Sequence, residues 1–148
     1  MAVDSYLLDT NVLLRWTKPC DTSYAEVSRA VIALNARGDR LHYTSQNLGE
    51  FWNVSTRSEQ QNGFGLSPAE AEARVELIEN EFTLVPDGSS IHRRWRRLLV
   101  EYQISGVQLH DARLAAAMFV HDVDRILTFN VRDFVRYRGI IAVHPAEV

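Results

Sequence analysis

Three acidic residues stand at positions where a carboxylate is costly to bury. Asp9 ends an apolar run, Glu50 interrupts a second apolar stretch, and Asp111 opens an Ala-rich segment. Removing a carboxylate from water is strongly unfavourable unless a positive group compensates its charge. Three such residues from distant parts of the chain therefore indicate a bound hard cation, which carboxylate oxygens prefer to hold.

A fourth polar group follows near the C-terminus and contains Thr128, Asn130 and Asp133. Either Asn130 or Asp133 would complete an acidic cluster with the three carboxylates. The alternative is ordinary turn chemistry, with Asn130 as the N-cap of a helix. Asp9 and Asp111 have the same alternative, because Asp is a common N-cap.

The composition is that of a soluble globular domain, and we expect residues 1–148 to form one domain. The chain has 148 residues, of which 46% are hydrophobic and 24% are charged. No apolar run is long enough to cross a membrane, and no secretory signal is visible. Cys20 has no partner for an internal disulfide, so we expect a cytoplasmic protein.

The basic residues are almost all arginine, which favours planar, bidentate recognition of phosphate or carboxylate. The net charge is −3, and Lys18 is the only lysine among 16 basic residues. Four arginines surround Trp95, where they either solvate the outer face of a helix or contact phosphate. Arg113 and Arg132 are nearer in sequence to the acids, so we expect these two to contact a phosphate backbone.

Alternating apolar patterns predict strands separated by helices. The predicted strands are Ser5–Leu8, Leu41–Thr44, Phe82–Val85, Arg125–Phe129 and Ile140–Val143. Helices are predicted after Asp9-Thr10-Asn11, across Val27–Leu34, after a Ser45 cap, from Ser67-Pro68-Ala69-Glu70, along the Ile91–Tyr102 stripe, across Asp111–His121 and, briefly, across Val131–Tyr137. This order predicts an α/β fold: a mostly parallel sheet of about five strands with helices on both faces. Asp9 and the Thr128–Asn130 turn would then lie at the carboxyl ends of strands, where such sheets bind ligands.

Four short motifs occur in order and together resemble the PIN-domain ribonucleases, in particular the VapC-like toxins of toxin–antitoxin pairs. They are Leu7-Leu8-Asp9-Thr10-Asn11, Glu50 near the start of a helix, His110-Asp111-Ala112, and Thr128-Phe129-Asn130-Val131-Arg132-Asp133-Phe134. The resemblance covers essentially the whole chain. It implies a PIN-like fold and an endonuclease that cleaves RNA with Mg²⁺ or Mn²⁺.

By the same resemblance, Asp9, Glu50 and Asp111 are the core acids, and Asp9 and Asp111 are the closest metal ligands. Glu50 is our candidate for orienting or deprotonating the attacking water. The family often has Asp where this chain has Asn130. This difference weakens the case for a second tightly held metal, unless Asp133 substitutes. We assign substrate contact to Asn11, Thr128, Arg113 and Arg132.

The resemblance also implies a homodimer and a cognate antitoxin, both contacted by the early helices. Part of an aromatic set would then be interfacial rather than core, namely Trp16, Tyr24, Phe51 and Trp52. The antitoxin is expected to thread a basic and hydrophobic tail across the dimer. An arginine of that tail would occupy the acidic cluster, because its fork pairs with carboxylates.

Two other functions compete with the ribonuclease. An aspartate-nucleophile phosphohydrolase or phospho-receiver would need a second Asp beside Asp9 and a cation on the phosphoryl group. Asn11 and the remote Lys18 disfavour it. A catalytically inactive PIN-fold module that binds RNA or protein is the other possibility, and Asn130 is its best support.

Overall fold

The core of the fold is a five-stranded sheet in which every neighbouring pair is parallel. The computed structural model describes residues 2–148. The strands are β1 (Ser5–Leu8), β2 (Arg40–Thr44), β3 (Thr83–Val85), β4 (Arg125–Leu127) and β5 (Ile141–Val143). Their order across the sheet is β3-β2-β1-β4-β5. The expected α/β fold with a five-stranded parallel sheet is therefore confirmed.

Six α-helices connect and cover these strands. They are α1 (Thr10–Trp16), α2 (Tyr24–Ala36), α3 (Ser45–Thr56), α4 (Pro68–Glu81), α5 (Ser89–Glu101) and α6 (Gln108–Val120). Three short 3₁₀ turns complete the chain, at Glu59–Gln61, Val131–Asp133 and Pro145–Glu147. No helix in the described part of the chain is long and apolar enough to cross a membrane.

Both faces of the sheet are buried, and β1 shows how the sequence achieves this. Successive side chains of a strand point to opposite faces. Tyr6 and Leu8 pack into a cluster with residues of α1 to α4, whereas Leu7 packs into a second cluster with residues of α5 and α6. The continuous apolar run of β1 is thus explained by a strand that is covered on both sides.

The strand order creates a topological switch point beside β1. The chain builds outward from β1 through β2 to β3, and then returns to add β4 on the other side of β1. At the carboxyl end of this pair, the backbone N–H of Asp9 donates to the carbonyl oxygen of Leu127 at 3.0 Å. Ligands of open α/β sheets bind at such points, and Asp9 and Thr128 are the residues that directly follow β1 and β4.

Two predicted helix starts were wrong. Thr44, rather than Ser45, caps α3, because the Thr44 side chain and Asn47 exchange a reciprocal capping box. α6 begins at Gln108, so Asp111 lies in its first turn rather than at its N-cap. The chain turns before α6 at Gly106, whose φ of +62° suits glycine.

The C-terminal segments are shorter than predicted. β4 ends at Leu127 rather than at Phe129, and the helix expected across Val131–Tyr137 is a 3₁₀ turn over Val131–Asp133. The turn continues through single i→i+3 hydrogen bonds, such as that from Tyr137 N to the carbonyl oxygen of Phe134 at 3.2 Å. Phe134 and Tyr137 are both buried, so their packing directs the chain here.

The aromatic set divides between the core and the surface. Phe51 is fully buried, so any interfacial part of the set lies among the other three rings. Trp16 and Trp52 are partly buried against the same cluster, and Trp16 packs on Phe82 with ring centroids 4.7 Å apart. Tyr24 is also partly exposed, so these three rings remain available at the surface of the early helices.

Candidate active site

Asp9 is held rigidly at the carboxyl end of β1. Its Oδ1 accepts a hydrogen bond from the backbone N–H of Thr10 at 2.8 Å, and its Oδ2 accepts from the hydroxyl of Thr128 at 2.7 Å. Only 8% of Asp9 is exposed. Burial, together with the negative charges of Glu50 and Asp133, raises the pKa of Asp9 to about 6 despite these two hydrogen bonds. The carboxylate is thus fixed in one orientation at the end of the strand.

Thr128 has a supporting role that its substrate assignment did not anticipate. The residue is fully buried, and its hydroxyl accepts from the backbone N–H of Asn130 at 2.9 Å while donating to Asp9. Its hydroxyl therefore joins the turn after β4 to the acid after β1. A buried hydroxyl with both roles filled orients Asp9 rather than lying open to a substrate.

Asn11 connects the same two segments. Its Oδ1 accepts from the backbone N–H of Phe129 at 3.4 Å, and its Nδ2 lies 3.5 Å from Oδ2 of Asp9. Both contacts are at the long end of hydrogen-bonding distance. Asn11 is partly exposed, so its assigned contact with substrate remains a prediction.

Glu50 is fixed by a network that links α1, α3 and α6. Its Oε2 accepts from the Thr10 hydroxyl at 2.7 Å, and its Oε1 accepts from Nε2 of Gln46 at 3.0 Å. The same Gln46 nitrogen donates to the carbonyl oxygen of His110 at 2.8 Å, one residue before Asp111. The fully buried Asn47 donates from Nδ2 to the Thr10 hydroxyl at 3.1 Å.

The roles of Thr10, Gln46 and Asn47 in this network were not predicted from the sequence. One signal was available for Gln46, which lies four residues before Glu50 and so on the same face of a helix. The pairing of Thr10 with Glu50 has no local signal, because 40 positions separate the two residues.

Asp111 projects from the first turn of α6 and is partly buried. Burial, together with the negative charges of Asp133, Asp9 and Glu50, raises its pKa to about 7. The positive charge of Arg136 acts in the opposite direction. No group in residues 2–148 donates a hydrogen bond to the Asp111 side chain. The four carboxylates therefore share one electrostatic environment.

Asn130 and Asp133 are the two alternatives for the fourth position of the acidic cluster, and they differ in their contacts and charge. Asn130 donates through its backbone, and its side chain makes no N-cap hydrogen bond to the following 3₁₀ turn. The charge of Asp133 raises the pKa of both Asp9 and Asp111. Asp133 is thus the fourth acid electrostatically, while Asn130 remains a neutral neighbour. Both line an open cavity of about 580 Å³ together with Arg132.

The predicted phosphate-binding arginines separate in space. Nη2 of Arg113 lies 3.3 Å from Oδ1 of Asp87, in the loop after β3, so Arg113 is directed away from the acidic cluster. Arg132 is exposed beside Asn130 and Asp133. The arginine whose charge acts on Asp111 is Arg136, one of the basic residues that follow the fourth motif.

The donor set fits a hydrated cation rather than a closed protein cage. Among residues 2–148, no cationic side chain lies within 4.0 Å of the carboxylates of Asp9, Glu50, Asp111 or Asp133. In the same part of the chain, no three His, Cys, Asp or Glu side chains converge closely enough to hold a metal directly. Mg²⁺ commonly keeps several waters and uses only one or two carboxylates. Hard oxygen donors without a compensating charge suit such an ion.

Comparison with known proteins decides the family. The family model described as PIN domain matches residues 6–140, which is most of the chain. The chain belongs to the PIN-domain family. The resemblance drawn from its four motifs is confirmed at this level, and all four acids of the cluster lie within the matched segment. Comparison with curated protein sequences found no significant match.

Solved structures show the same fold at low sequence identity. VapBC2 of Rickettsia felis, bound to promoter DNA, aligns with a TM-score of 0.70 and 16% identity, covering 95% of this chain and 98% of that one. A toxin–antitoxin complex of Klebsiella pneumoniae gives 0.65 and 22%, covering 97% and 99%. VapC20 of Mycobacterium tuberculosis, a toxin that cleaves the sarcin–ricin loop, gives 0.58 and 14%, covering 82% and 86%. This PIN-domain chain therefore has the fold of VapC toxins.

Proposed function

We propose that this PIN-domain protein is a metal-dependent endoribonuclease and the toxin of a toxin–antitoxin pair. The observation that carries the proposal is the group of four carboxylates at the topological switch point. None of them has a cationic partner within 4.0 Å in residues 2–148, and two have raised pKa values. Carboxylates held together against their own repulsion indicate a site for a divalent cation.

Asp9 and Asp111 would hold Mg²⁺ or Mn²⁺. A cation bound here would activate water and offset the charge that develops on the phosphoryl oxygens. Thr128 and the Thr10 amide keep Asp9 aimed at the site through their two hydrogen bonds. Asp111 accepts no protein hydrogen bond within the described residues, so its oxygens are free for a cation or its waters.

In this proposal, Glu50 orients or deprotonates the attacking water. Thr10 and Gln46 each occupy one acceptor position, on different oxygens of the carboxylate. A carboxylate has about four acceptor positions, so Glu50 can still accept a proton from water while these two contacts fix its orientation. Asp133 and Asn130 border the same site, where Asp133 adds negative charge and Asn130 can orient a water.

RNA is the proposed substrate because of the family and because of one relative. VapC20 of Mycobacterium tuberculosis is described as cleaving the sarcin–ricin loop. At 14% identity this likeness shows the fold, so RNA cleavage by the present chain is a proposal. DNA phosphodiesters are the main competing substrate, and the cleavage experiment includes them.

An antitoxin and a homodimer complete the proposal. Relatives with the same fold were solved as toxin–antitoxin complexes. The acidic cluster is a suitable binding site for an arginine from such a partner, because a guanidinium group pairs bidentately with carboxylates. Trp16, Tyr24 and Trp52 are partly exposed near the early helices and could pack against an apolar tail.

The test is cleavage of defined single-stranded RNA by the purified chain. We expect internal cleavage with Mg²⁺ or Mn²⁺, none after chelation, and none of single-stranded DNA with the same sequence. Asp111→Asn should remove activity, and its inactivity after the same purification excludes a contaminating nuclease. Asp122→Asn removes an exposed carboxylate just beyond the end of α6 opposite to Asp111, and it should cleave like the parent. Equal cleavage by parent and Asp111→Asn would reject the proposal. If the parent protein is folded but cleaves no RNA, the catalytically inactive binding module is favoured instead.

A further inference from the structure

A second charged site lies beside the acidic cluster. It is a cleft of about 400 Å³ lined by Arg94 and Leu98 of α5, Phe119 of α6, and Arg136 and Arg138 after the 3₁₀ turn; Glu101 and Tyr102 complete its lining. We call it the arginine cleft. Its three arginines come from two segments far apart in sequence, Arg94 from α5 and the other two from the chain after the 3₁₀ turn. Local solvation of one helix therefore does not explain their convergence.

The arginine cleft carries a net positive charge. It contains three arginines and the single carboxylate of Glu101. Within residues 2–148, no carboxylate lies within 4.0 Å of the guanidinium groups of Arg94, Arg136 or Arg138. Arginines that are close together without carboxylate partners repel one another, and an anion in the cleft would relieve that repulsion.

The guanidinium group of Arg94 and the backbone of Arg138 are held in place before any anion binds. The guanidinium carbon of Arg94 lies 4.5 Å from the centroid of the Phe119 ring, which is cation–π distance. The backbone N–H of Arg138 donates to the Tyr102 hydroxyl at 3.1 Å, and the Tyr102 ring packs edge-on against Tyr137 at 5.1 Å. Groups fixed in advance lose less conformational entropy when they bind a ligand.

Arg136 connects the arginine cleft to the start of α6, the helix that carries Asp111, and its charge acts on Asp111. Its Nη1 donates to Oε1 of Gln108, the first residue of α6, at 3.1 Å. Gln108 and Asp111 are three residues apart on the same helix, so they are neighbours on one face. A strand whose scissile phosphate lies at Asp111 would therefore reach the arginine cleft with its adjacent phosphates.

We propose that the arginine cleft binds backbone phosphates of the RNA strand on one side of the scissile bond. This inference rests on the proposed ribonuclease function and adds the path of the substrate to it. Arg94, Arg136 and Arg138 then replace Arg113 as phosphate contacts, because Arg113 pairs with Asp87. An acidic peptide is the competing ligand. RNA is favoured because the cleft adjoins the acids, and a strand cut there must also pass here.

The arginine run of α5 supplies an internal control. Residues of an α-helix are about 100° apart around its axis, so Arg96 lies roughly 200° from Arg94. Arg96 belongs to the outer side of α5 with His92, Arg93 and Arg97. It is exposed, whereas Arg94 is partly buried in the cleft. Arg96→Gln therefore removes the same charge from the same helix without altering the arginine cleft.

The experiment measures RNA binding and cleavage by the full chain carrying Arg94→Gln and Arg138→Gln together. Fluorescence anisotropy with an RNA longer than about 16 nucleotides, enough to extend beyond one binding site, gives affinity at several salt concentrations. We expect at least about tenfold weaker binding and a slope of log K against log salt that is lower by about 1.4, since each phosphate that an arginine no longer neutralises lowers it by about 0.7. Arg96→Gln should match the parent in both. Thermal melting of all three proteins checks that the fold is intact.

Cleavage of short and long RNA shows whether the arginines of the cleft bind backbone phosphates or only support the fold. For the long RNA, the double variant should show a KM at least about tenfold higher with kcat within about twofold, since binding is weakened equally in the ground and transition states. For an RNA of a few nucleotides, parent and double variant should cleave alike. A drop in kcat for both RNAs would mean that the arginines act through the fold, which overturns the inference.

The two proposals fail in different ways. If the double variant binds and cleaves long RNA like the parent, while Asp111→Asn is inactive, the arginine cleft is not the substrate path and the ribonuclease function stands. If the parent cleaves no RNA, the proposed function fails first. If the double variant loses affinity for a polyglutamate peptide while its RNA affinity is unchanged, the cleft binds an acidic protein. That result would also overturn the inference.

Discussion

The hydroxyl of Thr10 donates a 2.7 Å hydrogen bond to Oε2 of Glu50, joining the first turn of α1 to α3 across 40 positions of the chain. The same hydroxyl accepts from Nδ2 of Asn47 at 3.1 Å. Thr10 also supplies the backbone N–H that holds Asp9. One residue therefore sets the positions of two acids, one through its side chain and the other through its backbone.

Replacing Thr10 by Val separates these two functions. The backbone hydrogen bond to Asp9 remains, while Glu50 loses a donor and the buried Asn47 loses an acceptor. We expect cleavage to fall about 10- to 100-fold, as when other supporting residues of metal sites are removed, and the free energy of unfolding to fall by about 1–3 kcal/mol. Thr10→Ser keeps the hydroxyl and should restore both. Activity of Thr10→Val equal to that of the parent in single-turnover assays would mean that Glu50 needs no such anchor.

Glu50→Gln should reduce cleavage more than metal affinity. A neutral amide retains much of the shape but cannot take a proton from water, and loss of a general base costs about 10²–10⁴-fold in rate. Calorimetric Mn²⁺ titration beside single-turnover cleavage separates the two effects. If affinity falls as far as the rate, Glu50 is a metal ligand rather than the group that handles water.

Asp111 should make the metal-free protein less stable as pH rises. Its folded pKa is about 7, above the unfolded value of about 3.9. The folded state therefore holds a proton that the unfolded state releases, and this contribution is full below about pH 4 and is lost as pH rises through about 7. Asp111→Asn has no such proton to lose. The free energy of unfolding of Asp111→Asn should therefore exceed that of the parent by an amount that increases between pH 5 and pH 8. We expect this difference to reach about 1 kcal/mol, a value reduced to allow for the partial exposure of Asp111.

Chemical denaturation with a metal chelator at pH 5 and pH 8 measures this difference. Asp122→Asn is the matched control, because Asp122 is exposed and Asn tolerates its φ of 55°. Its free energy of unfolding should equal that of the parent at both pH values. A constant gap between Asp111→Asn and the parent would show that Asp111 does not titrate in this range. Mn²⁺ affinity of the parent should rise over the same interval, since the ligand must be deprotonated.

Asn130→Asp should strengthen the binding of a second divalent ion. Asn130 lies beside Asp133 in the same cavity, and an added carboxylate there would increase the negative charge of the cluster. Two-metal sites hold their ions about 3.5–4 Å apart, so a second ion needs this extra charge. Mn²⁺ stoichiometry and the metal dependence of the cleavage rate report the change. If neither quantity alters, Asn130 is outside the site.

Much of this architecture could be inferred from the sequence because it depends on local patterns. The apolar run ending at Asp9 and the capping sequence at Ser67 mark their elements directly, and α4 begins at the predicted residue, Pro68. Asp9 and Thr128 were expected at carboxyl ends of strands, and the order of the sheet places them at one switch point.

The parts that failed depend on tertiary contacts. Phe134 and Tyr137 are buried, and their packing limits the segment after β4 to a 3₁₀ turn. Arg113 is two residues from Asp111, but about 200° of helical rotation separates their side chains and directs Arg113 to Asp87. Arg136 approaches Asp111 only because the chain folds back beside α6. These tertiary contacts cannot be predicted from the spacing of residues along the sequence.

Single-turnover cleavage of one defined RNA by the parent and by Asp9→Asn, in Mg²⁺ and then in Mn²⁺, tests the central claim most directly. Asn keeps an oxygen that can accept from the Thr10 amide, so the fold should persist while the charge is removed. We predict a rate at least about 100-fold lower, beyond the cost of losing a supporting residue, with weaker Mn²⁺ binding. Because the pKa of Asp9 is raised to about 6, the metal-free variant should melt at the parent's temperature or above it at pH 8. Cleavage by Asp9→Asn at the parent's rate, with Asp122→Asn also unchanged, would contradict the assignment of this acidic cluster as the catalytic metal site.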